Sequence, residues 1–250
     1  MRLAILEAII SVFSAWASEM PVACRKGCTT CCTANVTVTW LEGQRIHRFI
    51  RANCMEEWLA CQLARTSQPR QPQTTVNAYA EACLAGREIA LEPVDFDGSC
   101  PFLEDNLCCI YEVRPFSCLS FASQIPCIPG HHARVPPYYM AATTAVSQLI
   151  EHLGPGSPCG NMISILLALS GIPANRRVAE LLDDPEKIRL SREECLIARH
   201  LPGFLLSEED RDTVLPLLDR VLRTEVRGMT IEEFLENQLP SGNSTRQEEN

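Results

Sequence analysis

The sequence lacks the long apolar runs of a membrane protein and the basic stripe of a nucleic-acid-binding protein. No run approaches the roughly 18 apolar residues that a membrane-spanning helix needs. Acidic residues outnumber basic residues by 31 to 22, and the formal net charge is −9. Because proteins that bind nucleic acid usually carry a basic surface, we expect neither a membrane nor a nucleic acid as a partner.

Ordinary catalytic motifs are also missing from the sequence. No Ser-His-Asp array and no paired-carboxylate motif stands out. No Gly-rich segment joins a predicted strand to a predicted helix, which argues against an ordinary methyltransferase. A methyltransferase would therefore need a cofactor site of an unfamiliar kind.

Cysteine is the residue that the sequence has in excess, with 14 in 250 residues. Four of them fall within the nine residues from Cys24 to Cys32, and two of these are adjacent, so disulfides inside this cluster would be strained. At 46% apolar residues, the chain is also long and hydrophobic enough to form a core without disulfides. We therefore expect reduced thiols and a cytoplasmic protein, in preference to an oxidised, secreted one.

Hydrophobic periodicity predicts a mostly α-helical fold. Specifically, we expect a helical domain with an irregular cysteine-rich metal-binding region that contains a short hairpin. A single domain is expected over residues 1–239, with the metal-binding region at 24–127 and a helical region at 136–239. The polar residues 240–250 are expected to form a disordered tail.

Local sequence signals predict the individual elements. Helices are predicted at residues 3–18, 39–65, 76–90, 136–154 and 161–171. A short strand is predicted at 35–39, and a hairpin with its turn at Asp105-Asn106. Three further helix N-termini are predicted at Ser191, Ser207 and Thr230, each followed three residues later by an acidic residue.

Two cysteine-rich segments supply candidate metal ligands. A thiolate site needs several sulfurs at one point, most easily from two cysteines a few residues apart on a turn and another pair from elsewhere. The candidate ligands are Cys24, Cys28, Cys31, Cys32, Cys100, Cys108, Cys118 and Cys127. All-sulfur ligation is typical of zinc or of an iron–sulfur cluster, and the sequence leaves open which of these is bound.

The number of sites is also left open, because eight cysteines suffice for two four-sulfur sites or for one site with additional reactive thiols. Cysteines are adjacent in the pairs Cys31-Cys32 and Cys108-Cys109. Because successive side chains of extended chain point to opposite faces, one member of each pair can bind a given ion easily, whereas binding by both members is harder. Four other cysteines lie at apolar-face positions of predicted helices and are expected to pack in the core: Cys54, Cys61, Cys83 and Cys195. The loop pair His131-His132 is expected to be polar surface.

The segments CRKGCTTCC and GSCPFLEDNLCCIYEVRPFSC together resemble the YkgJ-like cysteine-cluster family, a zinc- or iron-chelating domain. The matching positions are Cys24, Cys28, Cys31, Cys32, Cys100, Cys108, Ile110, Tyr111, Arg114, Pro115 and Cys118. The resemblance covers residues 24–127 and implies metal binding by the matched cysteines. That family also includes the flagellin lysine methylase FliB, which implies methyl transfer by analogy alone.

Three functions are therefore open at this point. The first is a chelator or carrier of zinc or iron, including iron in an iron–sulfur cluster. The second is an iron–sulfur enzyme similar to a protein lysine N-methylase that uses S-adenosylmethionine, although the barrel of the radical S-adenosylmethionine enzymes is not predicted here. The third is a metal-stabilised module in which the metal orders residues 93–130 while a helical surface binds a protein partner.

Overall fold

The computed structural model describes residues 1–66, 70–90, 98–128 and 132–238. These residues are mostly α-helical, as predicted, with a few short strands. The predicted tail at 240–250 and His131 lie outside the described residues. The α-helices are α1 (Arg2–Ala17), α2 (Trp40–Ala52), α3 (Glu56–Arg65), α4 (Val76–Leu84), α5 (Phe116–Leu119), α6 (Pro137–His152), α7 (Met162–Ser170), α8 (Arg176–Leu182), α9 (Pro185–Glu193), α10 (Glu208–Leu222) and α11 (Ile231–Glu236).

Within the described residues the strands form three small antiparallel sheets. They are β1 (Thr37–Thr39), β2 (Leu103–Glu104), β3 (Leu107–Cys108), β4 (Pro158–Asn161), β5 (Leu196–Ile197), β6 (Glu225–Val226) and β7 (Met229–Thr230). Strands β1, β4 and β5 make a three-stranded sheet in that order, while β2–β3 and β6–β7 are hairpins. Two 3₁₀ turns occupy Tyr111–Val113 and Pro173–Asn175.

The first hydrophobic core lies between α1, α6 and α10. Helix α1 confirms the predicted N-terminal helix and buries an apolar stripe that includes Leu6, Ile10 and Phe13. The Phe13 ring meets the Phe116 ring edge-on, with centroids 4.8 Å apart, a favourable aromatic geometry. Through this contact the first core supports α5, the short helix that carries one of the candidate ligands.

The second core surrounds α7, which is buried along its whole length and packs against α2 and α9. Asn161 caps α7 by accepting a hydrogen bond from the Ile163 N–H at 2.9 Å, as suits a helix that follows directly on strand β4. The core also takes in Phe102 and Ile110, which flank the β2–β3 hairpin. Both hydrophobic cores therefore contact the segment that holds the second cysteine group.

Several local predictions are confirmed. Thr39 opens α2 with a complete capping box, and Thr230 does the same for α11. Ser207 caps α10. The hairpin turn lies at Asp105-Asn106, where both residues have positive φ (49° and 61°), as a tight two-residue hairpin turn requires.

Other local predictions are wrong. The helix predicted over 39–65 is two helices, α2 and α3, separated at Cys54, which has a φ of 54°. Cys54 and Cys61 are exposed and do not pack in the core, and Cys83 is half-buried, whereas Cys195 packs against the second core as predicted. Ser191 does not begin a helix but lies buried inside α9. The N-cap of α9 is Asp184, whose side chain accepts a hydrogen bond from the Lys187 N–H at 2.9 Å.

Candidate metal centre

The first cysteine segment follows α1 as a loop of two consecutive turns. The Ala23 N–H donates to the Ser123 carbonyl at 2.8 Å, which ties the start of the loop to the chain after α5. The Cys28 N–H donates to the Arg25 carbonyl at 3.0 Å, and Gly27 within that turn has a φ of +89°, which glycine adopts without strain. The Cys32 N–H then donates to the Thr29 carbonyl at 2.9 Å, closing the second turn.

Backbone hydrogen bonds join this loop to the second cysteine segment. The Cys100 N–H donates to the Cys32 carbonyl at 3.0 Å, and the Ala34 N–H donates to the Gly98 carbonyl at 3.3 Å. Because these bonds set Cys32 directly beside Cys100, the two segments of the predicted motif meet in space. Leu103 follows Cys100 by three residues, and the β2–β3 hairpin pairs Leu103 with Cys108. The hairpin therefore brings Cys108 back towards Cys100.

Helix α2 holds the chain that leads to Cys118. The buried Glu42 carboxylate accepts the Phe116 N–H at 2.8 Å, at the start of α5. One turn further along α2, the Arg45 guanidinium donates to the carbonyls of Glu112 and Arg114 at 3.2 and 3.3 Å. No local sequence pattern marks Glu42 and Arg45 as supports of this segment, because both act across about 70 positions of the chain. The capping box revealed only the part that Glu42 plays within α2.

Four thiols from these segments form what we call the inner group: Cys32, Cys100, Cys108 and Cys118. Burial raises the pKa of Cys118 far above that of an ordinary thiol, and the other three members of the group raise it further. Burial likewise raises the pKa of Cys32, to which Cys100 and Cys108 add. Three members, all but Cys32, pack against the second hydrophobic core. The inner group is thus a half-buried set of mutually interacting thiols.

Three other thiols form what we call the outer group: Cys24, Cys28 and Cys31. Burial raises the pKa of Cys31 to about 11, with further contributions from Cys32, Cys24 and Cys28. Cys31 is nevertheless exposed as a residue, and none of the three packs against a hydrophobic core. A side-chain hydrogen bond between Cys31 and Cys32 joins the outer group to the inner group, while the Cys32 backbone also bonds the hairpin segment.

The Tyr111 ring contacts a cation from each of the two cysteine segments. The Arg114 guanidinium carbon lies 3.8 Å from the ring centroid of Tyr111, and the Lys26 ammonium lies 5.4 Å from it. Arg114 also donates from Nε to the Tyr111 carbonyl at 3.2 Å. Its positive charge opposes the effect of burial by lowering the pKa of the Cys32, Cys108 and Cys118 thiols. Arg114 is therefore a charge partner of the inner group.

The remaining cysteines near these segments belong to neither group. Burial and, after it, the Glu104 carboxylate raise the pKa of Cys109 to about 11, so this thiol lies on the Glu104 side of the hairpin. None of the described contacts joins Cys127 to either group, and it is half-buried in the loop after α5. Cys159 is buried in β4, where burial raises its pKa to about 12.

The thiols do not converge on a single point as they stand. Within residues 1–66, 70–90, 98–128 and 132–238, no three His, Cys, Asp or Glu side chains are arranged to hold a metal ion. The inner group nevertheless fits a thiophilic metal in the type and number of its donors, since four thiolates suit zinc or an iron–sulfur cluster. Each sulfur moves among three staggered positions by rotation about one bond. Convergence therefore requires rotations of the cysteine side chains.

Comparisons with protein-family models, with curated proteins and with solved structures found no match to this chain. The resemblance to the YkgJ-like family therefore rests on the cysteine motif itself. In the described part of the chain, no helix combines the length and apolar character needed to cross a membrane.

Proposed function

We propose that this protein binds zinc or iron, the latter alone or in an iron–sulfur cluster, through the inner group. The observation that carries the proposal is the pairing of Cys32 with Cys100 by a backbone hydrogen bond of 3.0 Å, which brings together cysteines 68 positions apart. The hairpin and α5 add Cys108 and Cys118 to the same neighbourhood. Four thiols from distant parts of a chain are the donor set of a closed, tetrahedral zinc site or of a cluster.

Charge supports the same proposal. Four thiolates carry a total charge of −4. A divalent ion contributes +2 and the Arg114 guanidinium +1, so the net charge of the site becomes −1. Without a metal, burial keeps the inner thiols protonated at neutral pH, since it raises the pKa of every member of the group. A bound metal would supply the positive charge that makes the thiolate form stable in this half-buried place.

The proposed role of the metal is to hold the first cysteine loop, the hairpin and α5 together, in a protein that acts as a chelator, carrier or metal-stabilised module. In the described residues, β2 and β3 are only two residues long, and α5 is only four. Such short elements are weak by themselves. A metal that joins them would stabilise the fold by its own binding free energy. The methylase-like alternative stays a prediction from the motif.

The test is to purify the protein without oxygen and to measure its zinc, iron and sulfide together with its visible spectrum. Iron with sulfide and a broad visible absorption would identify a cluster, whereas colourless protein with stoichiometric zinc would identify a zinc site. Replacing Cys118 with Ser should remove the metal. The control variant Cys61→Ser changes an exposed thiol on α3 and should retain it. Wild-type protein that binds neither metal after reduction and reloading would overturn the proposal.

A further inference from the structure

We propose that an exposed apolar patch beside the first cysteine loop is the docking site for an acidic, amphipathic helix of a partner protein. We call this patch the apolar surface, and its members are Val22, Phe121, Ile125 and Ile128. The inference goes beyond the proposed function and does not depend on it, because none of these four side chains is a candidate metal ligand.

Large apolar side chains are exposed at high density in this part of the chain. Of the ten exposed large apolar side chains among the described residues, three fall within the eight positions from Phe121 to Ile128. Single exposed apolar residues are normal on a protein surface, whereas a cluster of them marks a place where another molecule binds. Phe121 is 53% exposed and Ile128 is 59% exposed, so a partner could still bury much of both side chains.

Hydrogen bonds centred on Ser123 join the chain segments that form the apolar surface. The Ala23 N–H donates to the Ser123 carbonyl at 2.8 Å, which sets Val22 beside this segment. The buried Ser123 hydroxyl donates to the Ile125 carbonyl at 2.7 Å and accepts the Arg134 N–H at 3.1 Å. Three stretches of chain are therefore held together before any partner binds, which lowers the entropic cost of docking.

The inward positions of the same segments belong to the first hydrophobic core. Met20 and Ala122 are buried in that core, and Val135 packs against it. Because these residues already fill the inward positions, Val22 and Phe121 remain outside the core. The apolar surface thus lies on a packed support, as a docking site requires.

The segments that form this surface carry positive charge and no carboxylate. Residues 20–35 and 113–150 contain none of the 31 acidic residues of the chain, although Glu19 and Glu112 lie just outside them. Their basic residues are Arg25, Lys26, Arg114 and Arg134. All of these except Arg114 are exposed. In a protein of net charge −9, this local excess of cations selects an acidic partner by charge complementarity.

Charge also argues against two other occupants. Two copies of the chain related by a twofold axis would bring the same cations face to face, and like charges across an interface are unfavourable. Anionic lipid surfaces are recognised by clusters of about four to eight Lys and Arg residues, whereas three exposed cations adjoin the apolar surface.

A protein helix matches the surface better than either of these. Protein interfaces commonly have an apolar and aromatic centre with a polar rim. An amphipathic helix can lay its apolar face on such a centre. Here that face would cover Phe121 and Ile125, while the carboxylates of the helix would meet Arg25, Lys26 and Arg134.

The experiment measures binding of a labelled synthetic peptide to the full, reduced chain by fluorescence anisotropy. The peptide is helical, with leucine on one face and glutamate on the other, and the control peptide has lysine in place of glutamate. The acidic peptide should bind, more weakly as the ionic strength rises, and the lysine peptide should not. Phe121→Ala and Arg134→Glu should each weaken binding about tenfold or more.

Matched control variants change the same kinds of side chain on α10. Leu215→Ala removes an exposed apolar side chain there, and Arg211→Glu reverses an exposed charge, so both should leave peptide affinity unchanged. Because all four changed side chains are exposed, thermal unfolding should show that every variant folds like the wild type. An acidic peptide that does not bind, or a control variant that weakens binding as much as Phe121→Ala, would overturn the inference.

Two further measurements test the other occupants. Self-association in sedimentation velocity that Phe121→Ala abolishes would assign the surface to a second copy of the chain. Binding to vesicles of phosphatidylcholine and phosphatidylserine that Phe121→Ala abolishes would assign it to a membrane. Either result would overturn the inference, and the absence of both, together with peptide binding, is expected.

Metal analysis separates this inference from the proposed function. Phe121→Ala should retain whatever zinc or iron the wild type binds, because the change lies outside the inner group. Wild-type protein that binds metal but no acidic peptide would overturn the docking site alone. Wild-type protein that binds the acidic peptide but neither metal would overturn the proposed function alone.

Discussion

The buried carboxylate of Glu42 accepts a hydrogen bond from the backbone N–H of Phe116, at 2.8 Å. Its second oxygen accepts the Thr39 N–H, also at 2.8 Å, in the capping box of α2. One side chain thus satisfies N–H groups at the start of two helices, one of which carries Cys118. This arrangement makes Glu42 a positioning residue for the proposed metal centre, because it acts on Cys118 through the backbone of α5.

We expect Glu42→Ala to lower both stability and metal affinity. The variant leaves two N–H groups without their acceptor, at a cost of about 3 kcal/mol in the free energy of unfolding. It also frees α5, so metal affinity should fall, as a chelator competition would show. Glu233→Ala is the matched control, because Glu233 completes the exposed capping box of α11. That variant should cost only about 1 kcal/mol and should leave metal affinity unchanged. Equal metal affinity in both variants would contradict the positioning role.

We expect Gly43→Ala to destabilise the fold because α2 and α7 approach closely there. An added Cβ would lie 2.6 Å from Ile165 Cγ2 and 2.6 Å from Leu169 Cδ1, both fully buried. Overpacking of this kind costs about 1–3 kcal/mol, which chemical denaturation would measure. Gly154→Ala is the control, since its Cβ would meet only Ser157, at ordinary contact distances of 3.5 Å and more. A Gly43→Ala variant as stable as the wild type would show that the Ile165 and Leu169 side chains move aside at little energetic cost, which would contradict this prediction.

The buried His47 should make the fold sensitive to acid. Its Nε2–H donates to the Leu166 carbonyl at 2.9 Å, its Nδ1 is buried without a partner, and burial lowers its pKa to about 4. The unfolded chain takes up this proton at about pH 6.5, so the full stability is present above that pH. It is lost as pH falls towards 4, by up to about 3 kcal/mol.

The matched variant for this prediction is His47→Gln, whose amide can donate to the same Leu166 carbonyl without titrating. Denaturation of the wild type and the variant between about pH 7 and pH 4 should show a smaller loss of stability in the variant. Parallel pH profiles for the two proteins would mean that His47 is not the group responsible.

Metal binding by the inner group should strengthen as the pH rises. Burial raises the pKa of every member, that of Cys100 to about 11, so each thiol gives up a proton when a metal binds. Each proton released makes the affinity rise about tenfold per pH unit below these pKa values. Zinc affinity measured from about pH 6 to pH 8 should therefore increase steeply, with protons released into a weakly buffered solution. A flat profile would show that the inner thiols are not the ligands.

Some of the fold was predictable because short-range chemistry decides it. The capping boxes at Thr39 and Thr230 and the positive-φ turn at Asp105-Asn106 depend on residues within a few positions of one another, and all three are confirmed. The break at Cys54 was not predicted. A single residue with positive φ interrupts an otherwise helical pattern there, and its neighbours carry no glycine to signal it.

By itself the sequence determined that the fold is mostly helical and which cysteines are candidate ligands, because periodicity and spacing are local properties of the chain. It could not determine which thiols share a neighbourhood. That division depends on the backbone bond between Cys32 and Cys100 and on the reach of Glu42 to Phe116, across 68 and 74 positions. Only the tertiary structure decided it, because the helices and their cores must pack before Cys32 lies beside Cys100 and Glu42 reaches Phe116.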